Sequence, residues 1–512
     1  MFIDASLGTL HEPLTGRRVD GPAALLQSRR RATLLHHLGV RRHAKVFLHY
    51  GNKAEFFIDL LALWSLGACP VPVDPRYTAF EVEVLLAGIQ PVLSIWDESA
   101  PAELAAVLAA RQVPVVDTVS AAASVDEALF APGWPHLDDD ALLLLTSGTT
   151  GQPKGVLQTH RALRSRWNQQ RERLGVAAFA QTLCVVPTHF AWGLVGHALY
   201  AWLSGQTLHL LPAFRSDTLM RLGSLCDDLA VTCLPSVPSM WQLVVKTVAP
   251  PRGGALQLVT LGTAPLQATI WRGVRQWGGG AEVLNVYGIS ETGWIAGGAL
   301  DEAAGDDVPV GEPWGAVVKV LASGSTAQGP GLAPECAPGE PGHLWVQTPS
   351  LMRGYFGRDD LTAQVVTRGW FCTGDLGQLD ERGRIVLRGR EKELINVGGA
   401  KIYPQDIDAA LAGLPGVEDV ATFAFDDPML GENVAVALVL ADPGEAALLA
   451  VYREAVRRLA VHQLPRRWHL VEQIPRTARG KLSRSDVARR CAGAQPAFEQ
   501  RVLERLLRAA AA

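Results

Sequence analysis

The sequence is poor in cysteine, and its few cysteines do not form a recognisable framework. Seven occur in 512 residues, each standing alone, and no C-x-x-C pair is present. Disulfide-held secreted domains and structural zinc sites both need cysteines at close, repeated spacings. The pattern therefore excludes a disulfide scaffold and a cysteine-based zinc site, and it predicts a protein of the reducing cytoplasm.

The sequence also lacks a long apolar run and a strong charge of either sign. No stretch approaches the roughly 20 apolar residues that a membrane helix requires. The start, "MFIDASLGTLHEPLTGRR", has no apolar segment after a basic one. The net charge of −4 provides no field suited to a polyanion. We therefore expect a soluble, cytoplasmic, globular protein with no membrane or nucleic-acid partner.

What the sequence does contain is a regular alternation of strand and helix patterns. Short β-branched runs such as "KVFLHY" and "VPVVDT" alternate with longer helical patterns such as "KAEFFIDLLALWSLGA" over roughly the first 300 residues. Residues 308–387 are punctuated by Gly and Pro at close spacing and predict a β-rich subdomain. Helical and strand patterns return after residue 390, over a length normal for an independent domain.

These patterns predict an α/β protein. We expect a large N-terminal domain of two βα-layered subdomains plus the β-rich subdomain, over residues 1–389. A hinge at 390–392 would connect it to a small, mobile α+β C-terminal domain over 393–512.

The segment "TSGTTGQPKG", residues 146–155, is a hydroxyl-rich loop with one lysine, and it follows the apolar run "LLLL". It is not a Walker phosphate loop, because Pro153 stands where the second glycine is required and Gly155 where a Ser or Thr is required. Its hydroxyls, glycines and Lys154 nevertheless suit a polyphosphate. Composition alone leaves a plain surface turn open.

The loop resembles the phosphate loop of the adenylate-forming superfamily, which includes acyl-CoA synthetases, nonribosomal-peptide adenylation domains and luciferases. Further segments resemble that family's motifs in the same order: "NVYGISETG", "GWFCTGDLG", "GREKELINVGGAKIYPQDID" and "PRTARGKLSR". The resemblance extends over nearly the whole chain. It is greatest to acyl- and aryl-CoA ligases, which implies that the chain is an AMP-forming acid–thiol ligase.

The resemblance implies a role for each motif residue. Tyr287 would stack on adenine, Ser290 would bind the α-phosphate, and Glu291 would be a Mg²⁺ ligand, for which a hard carboxylate oxygen is suited. Asp375 and Arg390 would hold the ribose. The residues that it assigns to ATP or AMP binding are Thr146, Ser147, Gly148, Thr149, Thr150, Lys154, Thr263, Ala264, Pro265, Asn285, Tyr287, Gly288, Ser290, Asp375 and Arg390.

Lys481, Glu291 and Lys154 are the expected catalytic residues. Attack of a carboxylate on the α-phosphate of ATP builds negative charge on the phosphoryl oxygens and on the departing pyrophosphate, which a cation stabilises. The resemblance assigns that position to Lys481. It also makes Lys392 the pivot of a domain rotation between two half-reactions, and it places Gly398, Gly399 and Lys401 along a tunnel for the thiol.

The segment "VVPTHFAWGLVGH" stands where amino-acid-activating relatives carry an Asp, and it contains no acid. A buried ammonium needs such a partner, so we expect a substrate without an α-ammonium group. Apolar walls and the glycines at 193, 196 and 293 suit a flat or bulky hydrophobic acid. The expected pocket residues are Phe190, Trp192, Gly193, Val237, Gly293 and Trp294. A plain core helix remains an alternative for this segment, and His189 and His197 are more often structural than catalytic.

The thiol acceptor stays open between free coenzyme A and the phosphopantetheine of a separate carrier protein. Only about 30 residues follow Lys481, so a fused carrier domain is not expected. The leading hypothesis is an ATP- and Mg²⁺-dependent ligase that forms an acyl-CoA. A stand-alone enzyme that loads a carrier protein and a non-catalytic nucleotide-binding protein are the alternatives.

Overall fold

The computed structural model describes residues 6–505, apart from 97–100, 124, 126–134, 147–153, 265, 267, 300–307, 323–328, 398–399, 429, 478–480, 501 and 504. Its helices are α1 (Gly21–His37), α2 (Ala54–Ser65), α3 (Ala79–Ile89), α4 (Ala102–Ala110), α5 (Thr118–Ala121), α6 (His160–Leu174), α7 (Ala191–Gly193), α8 (Leu199–Leu203), α9 (Ser216–Leu219), α10 (Leu222–Asp228), α11 (Pro238–Thr247), α12 (Ala268–Trp277), α13 (Asp359–Val365), α14 (Pro404–Ala412), α15 (Glu445–Arg458) and α16 (Arg484–Ala492).

Its strands are β1 (Leu10–Glu12), β2 (Arg17–Val19), β3 (Lys45–His49), β4 (Cys69–Pro72), β5 (Leu93–Trp96), β6 (Val115–Val116), β7 (Asp140–Thr146), β8 (Lys154–Thr159), β9 (Gln181–Cys184), β10 (Thr207–Leu210), β11 (Cys233–Ser236), β12 (Leu258–Gly262), β13 (Glu282–Ile289), β14 (Gly293–Ala299), β15 (Glu312–Pro313), β16 (Val317–Leu321), β17 (Gly342–Gln347), β18 (Gly354–Tyr355), β19 (Val366–Thr367), β20 (Trp370–Leu379), β21 (Ile385–Arg390), β22 (Ile395–Val397), β23 (Ala400–Ile402), β24 (Val417–Asp427), β25 (Gly431–Leu440), β26 (Arg467–Leu470) and β27 (Phe498–Glu499).

Two βα-layered sheets form the first part of the chain. One is fully parallel in the order β4-β3-β5-β6. The other has the order β15-β14-β13-β12-β11-β9-β10-β1-β2 and is parallel from β10 to β13. Helix α2 is apolar on almost every face and is buried along its length except at Ser65, as expected for a helix enclosed in a core.

The β-rich part consists of antiparallel strands. A sheet of order β16-β17-β20-β19 also carries β21 on β20, and strands β18, β8 and β7 pair in a separate sheet. The carboxyl end of β13, the middle of β20 and the end of β21 meet between these sheets, which brings Tyr287, Asp375 and Arg390 to one place.

Residues after 394 have a hydrophobic core of their own. Buried side chains from Ile395 to Leu503 pack with one another around β24 and β25. Contacts to the larger part include an ion pair between Arg388 Nη1 and Asp406 Oδ1 at 3.7 Å. None of the helices in the described part of the chain combines the length and apolar character needed to cross a bilayer.

The predicted α/β fold with a large N-terminal and a small C-terminal part is confirmed. The segment "HFAWGLVGHALYAWL" is helical, as one alternative expected, but it is not a regular α-helix. Between α7 and α8 its backbone forms a π-helical turn over Leu194–Ala198. Such turns occur mostly as single insertions in helices, frequently at functional sites.

Candidate active site

Tyr287, Asp375 and Arg390 form a polar cluster where three strands meet, in which Arg390 is only half-buried. The Tyr287 hydroxyl donates to Asp375 Oδ2 at 2.6 Å, and Arg390 Nε lies 2.9 Å from Asp375 Oδ1. Tyr287 is 8% exposed and Asp375 5% exposed. Burial, and after it the Asp375 charge, raises the pKa of Tyr287 well above its usual range, so the hydroxyl remains a donor.

A bulge in β20 just before Asp375 fixes the direction of its carboxylate. Gly374 has a φ of +69°, a conformation that glycine adopts without strain. The Asp375 N–H donates to Thr373 Oγ1 at 3.0 Å, and that hydroxyl donates in turn to Leu344 O at 2.9 Å. Two hydrogen bonds in this T-G-D segment therefore position the Asp375 carboxylate.

Glu291, Tyr355 and Lys154 form a second cluster. The Tyr355 hydroxyl donates to Glu291 Oε1 at 2.8 Å. The Lys154 ammonium lies over the Tyr355 ring, 5.1 Å from its centroid. Burial and the Glu291 charge raise the pKa of Tyr355, which keeps this hydroxyl protonated as well. The Glu291 carboxylate thus contacts the hydroxyl of Tyr355, and the Lys154 ammonium contacts its ring.

Lys154 also closes the base of the predicted phosphate loop. It begins β8 directly opposite Thr146, the last residue of β7. The Thr146 hydroxyl donates to Lys154 O at 3.2 Å, across the neck of the loop. The residues between them that were assigned to phosphate, Ser147, Gly148, Thr149 and Thr150, lie outside the described residues.

Lys392 lies within electrostatic reach of both clusters. It is part of a 3-10 helix over Glu391–Glu393 that follows β21. Partial burial, and after it the Arg390 charge, lowers the pKa of Lys392, and the charges of Asp375 and Lys154 also act on it. The residue predicted as the pivot therefore lies beside the groups assigned to the nucleotide.

The wall expected beside adenine begins at the end of β12. Thr263 has a φ of +74°, the left-handed conformation that favours glycine. The glycine-like backbone is thus retained although the residue is threonine. Its buried Oγ1 has no hydrogen-bond partner among the described residues. Ala264 is half-buried beside it, and Pro265 lies outside the described residues.

The other residues assigned to the nucleotide lie on the β13–β14 hairpin. Asn285 is buried on β13. A bulge between Tyr287 and Gly288 shifts the pairing of the two strands, and a Cβ at Gly288 would lie 2.5 Å from Gly293 O. Ser290 O accepts a hydrogen bond from the buried Gln158 Nε2 at 2.7 Å. The hairpin is therefore tied to β8 of the phosphate loop.

Several of the residues expected for the acid pocket lie close together. The rings of Trp192 and Trp294 are 5.7 Å apart, and His197 lies 4.8 Å and 5.1 Å from them. Trp192 Nε1 donates to Ser236 O at 3.1 Å, next to the buried Val237. Phe190 precedes α7 and its ring lies 4.1 Å from that of His189. Trp192, Trp294 and His197 therefore form one cluster of contacting aromatic rings.

The expectation that Gly193, Gly196 and Gly293 leave room for a bulky acid is wrong in its reasoning, because protein atoms occupy the space at each. A Cβ at Gly193 would meet Pro187 O, and one at Gly196 would lie 2.8 Å from Trp294 Nε1. A Cβ at Gly293 would meet the Arg166 guanidinium. These glycines let neighbouring groups approach, and they do not widen the pocket.

His197 is a structural residue, as predicted from its position. Its Nδ1 lies 2.8 Å from Trp192 O and its Nε2 lies 2.7 Å from Thr260 Oγ1. Burial lowers the pKa of His197 to about 4, so the ring is neutral at physiological pH. The ring therefore links the Trp192 backbone to the Thr260 side chain.

The residues predicted from the last motifs belong to the small C-terminal part. Lys481 is half-buried, and its carbonyl oxygen accepts a hydrogen bond from the Thr477 N–H at 2.8 Å. Lys401 lies on β23, opposite Asn396, and its side chain is outside the described part. Gly398 and Gly399 also lie outside the described residues. The roles given to these residues stay predictions.

Tyr355, Gln158 and Arg166 contact the site but are absent from the sequence-based prediction. Tyr355 lies in a two-residue strand that no periodicity reveals. Gln158 carried a usable signal, because it is a polar residue in the otherwise apolar strand pattern "VLQ". Arg166 faces the interior of α6, a helix whose other arginines are partly exposed.

Comparison with known proteins identifies the family. The family model described as "AMP-binding enzyme" matches residues 16–356, and the model of its C-terminal domain matches residues 406–481. The chain belongs to the AMP-binding enzyme family. The predicted adenylate-forming resemblance and the expectation of an enzyme of the AMP-forming ligase class are thereby confirmed.

The relatives of this AMP-binding enzyme include CoA ligases. It is 32% identical over 478 residues to a feruloyl-CoA synthase from Amycolatopsis sp, covering 90% of this chain and 92% of the relative. It is 29% identical to the probable CoA ligase CCL9 from Humulus lupulus, covering 89% and 88%. The ATP-bound crystal structure of MatB from Rhodopseudomonas palustris has the same fold, with a TM-score of 0.85 at 24% identity and coverage of 96% and 97%.

The groups at the site fit Mg²⁺ only when the substrate contributes ligands. Glu291 is half-buried, and one of its oxygens accepts from Tyr355, which leaves the other oxygen for a metal. In the described ranges, no group of three or more His, Cys, Asp or Glu side chains is positioned to hold a metal. Mg²⁺ is typically bound by one or two carboxylates together with phosphates and water, which matches this arrangement.

Proposed function

We propose that this AMP-binding enzyme activates a hydrophobic carboxylic acid, aryl or bulky acyl, with ATP and transfers it to coenzyme A. The first step forms an acyl-adenylate and releases pyrophosphate, and the second gives an acyl-CoA thioester and AMP. One observation carries the proposal: Tyr287 and Arg390 hold the Asp375 carboxylate at 2.6 and 2.9 Å, where it can accept hydrogen bonds from a ribose.

The two clusters suit the two ends of ATP. Asp375 would accept from the ribose hydroxyls, with the Tyr287 ring beside the base. Glu291 would bind Mg²⁺ on the phosphates, and Lys154 would supply positive charge at the base of the phosphate loop. A preorganised carboxylate and cation of this kind need no rearrangement when charge develops in the transition state.

Lys481 would complete the first step. A carboxylate oxygen of the acid forms a bond to the α-phosphorus while the bond to the bridging oxygen of pyrophosphate breaks. Lys481 would neutralise charge on the acid and on that oxygen. After a rotation about Lys392, the backbone at Gly398 and Gly399, with Lys401, would line the entry for the thiol. The thiolate then forms a bond to the acyl carbon, and AMP leaves.

The aromatic walls support an acid with a flat apolar body. Trp192 and Trp294 offer two ring surfaces, and the described segment 184–198 contains no carboxylate that could pair with an α-ammonium group. The 32% identical relative is named a feruloyl-CoA synthase, and feruloyl is an aryl acyl group. Coenzyme A as the acceptor is supported by the names of the relatives.

The test is an assay with ATP, Mg²⁺ and a panel of aryl and alkyl acids, run with coenzyme A, with a phosphopantetheinylated carrier protein, and with neither. The expected result is acid-dependent pyrophosphate release and an acyl-CoA mass only when coenzyme A is added. Asp375→Ala should abolish pyrophosphate release. Asp380→Ala is the matched control, because Asp380 contacts Arg384 in the turn after β20. Absence of pyrophosphate release with every acid would refute the proposal.

A further inference from the structure

Arg166 is a buried guanidinium that has no carboxylate partner in the described part of the chain. It is 2% exposed, and its Nε and Nη2 atoms have no hydrogen-bond partner among the described residues. Burial lowers the pKa of Arg166 to about 10, which leaves it charged at neutral pH. A buried charge without a partner is strongly unfavourable, so a folded protein retains one only where something else pairs with it.

Two other arginines with largely enclosed side chains, the buried Arg31 and the half-buried Arg484, pair with carboxylates. Arg31 lies 3.0 Å from Asp59 and also contacts Glu55. Arg484 lies 2.7 Å from Asp408 and 3.2 Å from Glu393. Arg166 is the exception among these three, which indicates that its partner is a bound molecule.

The Arg166 guanidinium lies against Gly293, next to the aromatic residues expected for the acid. It occupies the space over Gly293, where any Cβ would collide with it. Gly293 directly precedes Trp294, whose ring faces Trp192 at 5.7 Å. The φ of +80° at Gly293 also favours glycine. The backbone conformation and the neighbouring guanidinium therefore both require a residue without a side chain at this position.

Other buried polar atoms without partners lie around the same tryptophan. Gln170, one turn after Arg166 on α6, donates to Gly196 O at 2.9 Å, and its Oε1 has no partner in the described residues. Trp314 lies 5.7 Å from Trp294, and its Nε1 likewise has no described partner. The Trp314 Nε1 could donate to an oxygen bound beside Trp294, whereas Gln170 Oε1 is an acceptor and would pair only with a hydroxyl.

We propose that Arg166 binds a hydrogen-bond-accepting oxygen group at the distal end of the carboxylic acid substrate. The substrate class is an acid with an apolar, preferably aryl, body that packs beside Trp192 and Trp294 and ends in a second carboxylate or a phenolic oxygen. This inference rests on the proposed function, and it adds a specificity residue to it.

The test compares acids that differ only at the distal end. Pyrophosphate release is measured with cinnamates and benzoates that carry a carboxylate, a hydroxyl or a methyl group in the para position. The expected result is a kcat/KM for the better oxygen-bearing acid roughly 10- to 1000-fold above that of the methyl analogue, since a site with buried donors rejects a ligand that leaves them unpaired. Comparing the carboxylate-bearing acid with the hydroxyl-bearing acid shows which of the two oxygen groups Arg166 binds.

Arg166→Met should bring this ratio close to one, and it should not lower the thermal midpoint, because an unpaired buried charge is removed. Arg173→Met is the matched control: Arg173 is exposed on the same helix and pairs with Glu312 at 2.9 Å, so its ratio and activity should match the wild type. A ratio that Arg166→Met leaves unchanged, or a large fall in its thermal midpoint, would overturn the inference. A wild type that releases no pyrophosphate with any acid would refute the proposed function itself.

Discussion

The hydrogen bond from Tyr287 to Asp375 is the contact whose loss has the clearest expected cost. Tyr287→Phe removes one hydroxyl and little volume. The bond is 2.6 Å long, both residues are buried, and the acceptor is a carboxylate. A hydrogen bond to a charged group contributes about 1.5–3 kcal/mol, so we expect the free energy of unfolding to fall by that amount. The KM for ATP should also rise, because the carboxylate loses one of its two supports.

Urea unfolding followed by tryptophan fluorescence measures this loss, since every tryptophan except Trp468 precedes residue 395. Tyr200→Phe is the matched control: the buried Tyr200 hydroxyl donates to the neutral Gly175 O at 2.7 Å, and its loss should cost about 0.5–1.5 kcal/mol without changing the KM for ATP. A Tyr287→Phe variant as stable as the wild type, with an unchanged KM, would refute the reasoning.

The same hydroxyl predicts a pH dependence. The pKa of Tyr287 is raised in the folded state, so above pH 10 the unfolded chain loses this proton while the folded protein keeps it. The folded state then binds more protons, and its stability falls as the pH rises, by about 1.4 kcal/mol per pH unit for this group. The contribution is fully present below pH 10. Tyr287→Phe should lack it, and identical alkaline profiles for the two proteins would contradict the assignment.

Three further predictions follow from the site. Tyr355→Phe should lower the rate of pyrophosphate release about tenfold and raise the Mg²⁺ concentration required, because Tyr355 orients the proposed ligand Glu291. Glu291→Gln should have a stronger effect, because it changes the ligand itself. Equal effects of the two variants would contradict the assignment of Glu291 as a Mg²⁺ ligand. Thr263→Gly should raise the free energy of unfolding by about 1 kcal/mol, since it relieves a left-handed backbone and removes a hydroxyl without a described partner. Gln112→Gly, at an exposed left-handed position, should raise the free energy of unfolding by less. Urea unfolding of both variants measures the difference, and an equal or larger gain for Gln112→Gly would contradict the prediction. Lys481→Ala should stop adenylate formation yet still convert a supplied acyl-adenylate to thioester. Lys392→Pro should allow adenylate formation and block thioester formation, because it stiffens the pivot. Loss of both half-reactions in either variant would contradict the role assigned to that lysine.

The sequence was informative where function depends on short motifs. The segments around β13, β20 and β21 resemble motifs of the family, so Tyr287, Asp375 and Arg390 could be named before their contacts were known. Lys392 could be named too, although its place beside Asp375 and Lys154 required the structure. The α/β fold was equally accessible, because strand and helix periodicities alternate regularly.

What the sequence did not reveal depends on contacts between distant segments. Tyr355 and Glu291 are 64 residues apart, and no local pattern joins them. Gly196 and Gly293 were expected to suit a bulky acid, whereas Trp294 occupies the space beside Gly196 and Arg166 the space beside Gly293. Arg166 itself looked like one of several arginines on a helix, and only its burial without a counterion distinguishes it.

The most direct test of the account is a crystal structure of the enzyme with ATP and Mg²⁺. The account predicts the ribose hydroxyls within hydrogen-bonding distance of Asp375, the Tyr287 ring against adenine, and Mg²⁺ between Glu291 and the phosphates. A nucleotide bound elsewhere, with the Tyr287–Asp375–Arg390 cluster left free of it, would contradict the central claim.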